Sequence, residues 1–118
     1  MNKENIMAKL ETKLTGSIDR WADKIRKGIL QGSVSASLED QSVFCSADGQ
    51  CQCRVLVFER YSMAGGNRLS LSVTLFQEAA GNIDCSAITS GGSQAALFKL
   101  NTWGEESFLD CFRAVIGK

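Results

Sequence analysis

The chain has 118 residues, 13 basic and 13 acidic side chains, 44% hydrophobic residues, five Cys, and neither His nor Pro. A chain of this length buries about two-thirds of its unfolded surface, so a single domain over residues 1–118 is expected, with no room for a second. Zero net charge argues against the basic excess with which a nucleic-acid binder neutralises phosphates, and the absence of His removes Ser-His-Asp and Cys-His chemistry and the commonest metal ligand.

The first residues alternate charged with apolar side chains and lack the apolar run of about 7–15 residues that an export signal needs. No stretch reaches the roughly 18 apolar residues of a membrane span, so no membrane partner is expected. An odd number of cysteines at uneven spacing, without an export signal, predicts a cytoplasmic protein with free thiols. Residues 1–7 read as a flexible N-terminus. A small basic excess precedes Gly28, seven basic against four acidic residues, but the overall balance predicts no nucleic-acid partner.

Leu10, Thr12 and Leu14 alternate with Lys9, Glu11, Lys13 and Thr15, which predicts a strand over 8–15 that is wet on one side. Gly16-Ser17 breaks the pattern. Ile18, Trp21, Ala22, Ile25 and Ile29 follow at the three-four spacing of an amphipathic helix, with Ser17 as its N-cap, Asp19 near its positive end and Gly32 as its stop. Gly28 inside that helix costs about 1 kcal/mol against Ala, which suggests close approach to the sheet.

From Ser33 to Ser90, β-branched and apolar residues alternate with Ser and Thr between turn clusters, enough for four strands. The first places Val34, Ala36 and Leu38 on one side and runs on toward Val43 and Phe44. Asp48-Gly49 predicts a type I′ hairpin turn, because both residues tolerate positive φ. Residues 51–61 form the next strand, Ala64-Gly65-Gly66-Asn67 a turn, and 68–77 the clearest strand, with Leu69, Leu71, Val73 and Leu75 facing the core. Gly81-Asn82 turns the chain into 83–90. Residues 95–100 fit either a strand or a short helix. Thr102-Trp103-Gly104-Glu105 reads as a capping box that starts a helix at 103, with Phe108, Phe112, Val115 and Ile116 on its apolar face. The order β-α-β-β-β-β-α predicts an α+β protein: a mainly antiparallel sheet of about five strands with two helices on one face, resembling a reduced helix-grip arrangement.

Four features bear on function. Cys45, Cys51 and Cys53 cluster across a turn, but a zinc site lacks its fourth ligand and no Cys-x-x-Cys pair is present, so no metal and no cofactor are expected and buried or half-buried strand thiols are the plainer reading. Ser90-Gly91-Gly92-Ser93 has the composition of an anion nest but lacks the Lys of a phosphate loop and the third Gly of a dinucleotide fingerprint; a turn is the plainer reading. Arg54, Glu59, Arg60, Tyr61 and Arg68 put three guanidinium groups on neighbouring strands, either to hold an anion or as a solvated ion-pair face.

The fourth is Val55-Leu56-Val57-Phe58, apolar at every position. If the following hairpin loop has an even number of residues, Leu56 and Phe58 join Leu71 and Val73 in the core and Val55 and Val57 stay outside; an odd loop reverses this. Either way an apolar strip remains on the Ser/Thr face, joined by Phe76 or Ile88. It forms either a contact surface of Val55, Val57, Phe76 and Ile88 suited to a homodimer, or a strip covered by residues 95–100.

Three stretches resemble a known family: Ser35-Ala-Ser-Leu-Glu-Asp40; Glu59-Arg-Tyr-Ser-Met63 with the Gly-Gly-Asn-Arg68 that follows; and Ser86 to Gln94 leading to Asn101-Thr-Trp-Gly-Glu-Glu-Ser-Phe-Leu109. The family is one of small uncharacterised bacterial proteins with a domain of unknown function. The resemblance runs from about Lys9 onward and implies no activity, substrate or catalytic residue. The expected function is therefore a non-enzymatic binding or interaction module that self-associates through its sheet. The alternative is an anion-binding protein or enzyme with a pocket between helices and sheet, held by Arg60, Tyr61, Gly91, Gly92 and Ser93.

Overall fold

The computed structural model describes residues 7–61, 68–91 and 99–118. Expectations for residues 1–6, for the turn at 64–67 and for Gly92, Ser93 and residues 95–98 lie outside that set.

Seven elements follow in the order β1 (Met7–Gly16), α1 (Ile18–Gly32), β2 (Ser37–Cys45), β3 (Gln52–Tyr61), β4 (Arg68–Ala79), β5 (Gly81–Ser90) and α2 (Lys99–Ile116). The strands form one antiparallel sheet in the order β1-β5-β4-β3-β2. The first crossover, through α1, thus carries the chain from one edge of the sheet to the other, and a four-strand meander brings it back beside its start. Met7 pairs with Ser90, so the strand begins inside the segment read as a flexible terminus.

Both helices lie on one face, α1 over β3 and β4 and α2 over β5, β1 and β4, and they touch each other. The alternation in β4 makes this possible: Leu69, Leu71, Val73 and Leu75 are all buried against Ile25 and Ile29 of α1 and Phe108 and Phe112 of α2 in one core. Leu109, absent from the helix face read from sequence, is buried there too. Ser17 caps α1 as expected, its hydroxyl accepting from the Arg20 amide at 3.3 Å.

Four local expectations need correction. Residues 34–35 form a turn, Val34 is fully exposed, and β2 begins only at Ser37. The Ala36 amide donates to the Ser33 carbonyl, and the Ser35 hydroxyl accepts from the Tyr61 amide at 3.2 Å, so a side chain stands in for the ladder at the end of β3. The Asp48-Gly49 turn is not type I′: only Gly49 has positive φ (77°), and the Gly49 amide donates back to the Ser46 carbonyl. The Asp48 carboxylate instead accepts from the Ser46 hydroxyl and the Gln50 amide, which holds its pKa below the usual value and makes a local Asx turn the better solution. The third correction is that α2 begins at Lys99, which places Thr102 and Glu105 inside the helix rather than at a cap; Lys99, Leu100 and Asn101 are compatible with helix, so the chain starts a turn earlier. Finally, Gly28 approaches α2 rather than the sheet, since a Cβ there would meet Val115.

Candidate functional site

The register sorts every strand residue to one of two faces, because opposed residues in an antiparallel ladder point the same way and neighbours alternate. Tyr61 pairs with Arg68, so six residues separate the pair and the loop is even. Leu56 lies opposite Val73 and Phe58 opposite Leu71, all four buried, and Val55 and Val57 fall on the face away from the helices.

That open face has a definite layout. Phe44 lies opposite Cys53, Cys53 opposite Phe76, Phe76 opposite Asp84 and Asp84 opposite Lys13, giving one row across all five strands. The next row reads Ser42, Val55, Thr74, Ser86 and Glu11, and the one after it Asp40, Val57, Ser72, Ile88 and Lys9. Apolar side chains therefore collect over β2, β3 and the middle of the sheet, with Phe44 62%, Phe76 40% and Ile88 37% exposed. Ser42, Ser72, Thr74 and Ser86 lie between them. The β1 border is charged and internally paired, Lys13 with Asp84 and Lys9 with Glu11 at 3.7 Å. An open hollow of about 440 Å³ lies over this border, between Phe76, Thr74 and the Lys13–Asp84 pair. Sequence reasoning misses Phe44 as a member of this surface. Its place in the row depends on the Ser46–Cys51 turn, which sets the register of β2 on β3.

The arginine group divides. Arg54 points to the helix side and binds Asp19 on α1 at 2.8 Å. Arg68 pairs with Glu59 and stacks over Tyr61 on the open face. Arg60 points to the helix side, its guanidinium 4.4 Å from the Phe108 ring, and burial pulls its pKa below the usual arginine value. There it lines an open cleft of about 500 Å³ between the helices with Gly28, Gly32, Asp110, Cys111 and Val115. Arg60 and Tyr61 thus sit on opposite faces of β3, and Gly91 follows β5, two strands away.

The thiols divide as well. Cys45 lies opposite Gln52 and Cys53 opposite Phe44, so Cys45 and Cys53 face opposite sides. Cys51 donates weakly to the Glu78 carbonyl at 3.7 Å. All five cysteines are free, and among the described residues no three metal-ligating side chains are grouped. No described helix is long and apolar enough to cross a membrane.

The class defined by this architecture is an α+β protein whose sheet, among the described residues, is half-covered: helices on one face, an open and partly apolar surface on the other. The chain belongs to a family of unknown function, DUF6054, whose model matches residues 7–118. No curated protein matches it. Among solved structures it is similar to an uncharacterized protein from Rhizobium leguminosarum, at 11% identity over 94% of this chain and 95% of that one, with a TM-score of 0.33.

Proposed function

We propose that the protein is a non-enzymatic interaction module of the cytoplasm that self-associates through the open face of its sheet. One observation carries this reading: Phe44, Cys53, Val55, Val57, Phe76 and Ile88 share the face that the helices leave uncovered. Size supports a second copy as the occupant. Five strands about 4.8 Å apart and roughly ten residues long at about 3.3 Å per residue make a face of about 800 Å². A standard interface buries about 800 Å² on each partner. Two copies stacked about a two-fold axis would form a four-layer sandwich with the sheets about 10 Å apart, each covering the other's apolar half. Five free thiols fit a reducing compartment.

The alternative, an anion held by Arg60 between helices and sheet, has less support. Tyr61 faces the other way, and Asp110 brings a carboxylate into the same cleft. Light scattering at micromolar concentration tests the leading reading. Wild type should be an assembly of at least two chains, and the pair Val57→Lys with Phe76→Lys should halve its mass with an unchanged circular dichroism spectrum. A wild-type monomer would overturn it, and a ligand mass retained in native mass spectrometry and lost with Arg60→Ala would favour the alternative.

A further inference from the structure

The two edges of the sheet are treated differently. β1 at one edge alternates Lys9, Glu11 and Lys13 along its open face, and charged side chains, Lys above all, are a common guard against edge pairing. β2 at the other edge has its guard at one end only. A register shift between Leu38 and Asp40 bulges the strand beside the Glu39 and Asp40 carboxylates. From Gln41 to Ser46 there is no charge and no Gly, and the chain contains no Pro. Every residue of that window is exposed, and within β2 only Leu38 is partly buried against the core. Val43 on the helix side and Phe44 on the open side are each 62% exposed. An uncharged, β-prone edge with apolar side chains on both faces is a template for another strand.

We infer that this edge pairs with β2 of a second copy, antiparallel about a two-fold axis through Val43, to make a continuous ten-stranded sheet. The choice of occupant follows from charge and register. Centred on Val43, Gln41 meets Cys45 of the second copy, Ser42 meets Phe44, and Val43 meets Val43. The carboxylates of Glu39 and Asp40 then lie opposite Ala47 and Ser46, at the two ends of the ladder, so no like charges are opposed. Val43 of each copy fills the helix-side face at the axis, and the two Phe44 rings lie diagonally on the other, within reach of each other. Moving the axis to Gln41 brings the bulge into the ladder, and moving it to Cys45 brings in the Ser46–Cys51 turn. The interface is separate from the open-face contact, and it closes the backbone groups of β2 that point away from β3.

Gln41→Cys tests the register directly, since it places a new thiol opposite Cys45 of the second copy. Mild oxidation should give a covalent dimer on a non-reducing gel, and Gln41→Cys with Cys45→Ser should not. Val43→Lys, at an exposed position, should abolish the cross-link and halve the mass measured by sedimentation: tetramer to dimer where the open face also holds, dimer to monomer where it does not. No covalent dimer above the Cys45→Ser control, or an unchanged mass for Val43→Lys, would overturn the pairing. Phe76→Lys separates the two interfaces, because added to Gln41→Cys it should weaken the open-face contact and leave the cross-link to Cys45 intact.

Discussion

Gly28 of α1 lies against Val115 of α2 so closely that a Cβ on Gly28 would stand 2.6 Å from Val115 Cγ2 and 2.7 Å from Cγ1. Turning the valine about χ1 does not clear the contact, because its own Cβ would be 3.2 Å away. Two effects then oppose each other in Gly28→Ala. The helix gains about 1 kcal/mol of intrinsic propensity, and overpacking typically costs about 1–3 kcal/mol. The backbone approach is the tighter constraint, so Gly28→Ala should be destabilising by up to about 2 kcal/mol in urea unfolding. Adding Val115→Ala should make the double variant more stable than the sum of the single changes predicts. Additive costs would show that the helices can separate without strain.

How far the sequence reveals this fold depends on how many faces of each element meet apolar neighbours. β4 is legible residue by residue, since Leu69, Leu71, Val73 and Leu75 alternate with hydroxyls and only one face is buried. β3 is not, since Val55 to Phe58 is apolar on both faces and only the even loop to Arg68 decides which side is core. The same parity divides the candidate site: Arg60 and Tyr61 are adjacent in sequence and therefore on opposite faces of the strand. Phe44 is hard to place from sequence because its face depends on the Ser46–Cys51 turn, where Asp48 accepts two hydrogen bonds rather than adopting positive φ. The start of α2 is ambiguous in sequence because Thr102 and Glu105 have capping-box spacing while the residues before them also favour helix.

Leu56 and Val57 are neighbours with opposite fates. Leu56 is buried opposite Val73, while Val57 is half-buried on the open face opposite Ser72. Leu56→Ala should cost about 2–5 kcal/mol, as large-to-small core changes do. Val57→Ala should cost less than about 1 kcal/mol in the isolated chain. Chemical denaturation of both variants checks the register, and a larger cost at Val57 would place the wrong face of β3 in the core.

Gly16 joins β1 to α1 with φ of 120°, and a Cβ there would meet only Trp21, at 3.6 Å. Space is therefore sufficient and the backbone conformation is the obstacle. The bend is held by the Trp21 indole N–H, which donates to the Thr15 carbonyl at 2.8 Å. Gly16→Ala should lose about 1–3 kcal/mol of stability. Trp21→Phe removes the donor together with part of a ring that packs against the core, and should lose at least about 1 kcal/mol. Equal stability of Gly16→Ala and wild type would mean the turn relaxes to negative φ.

Cys85 is buried in β5, and burial pushes its thiol pKa from the ordinary 9.0 up to about 11. The neutral thiol is the form the core accepts, so the unfolded chain gives up this proton at lower pH than the folded one. The resulting stability is fully present below pH 9 and is lost as pH rises from there through about 11. Cys85→Ala should flatten that part of the curve of stability against pH while lowering stability below pH 9 through the cavity it leaves. The same shift sets the order of reaction with iodoacetamide at about pH 8: exposed Cys45 should label first and Cys85 last, only on the timescale of unfolding. Rapid labelling of Cys85 in the folded protein, read by peptide mass, would mean that β5 opens locally far more often than its place between β1 and β4 allows.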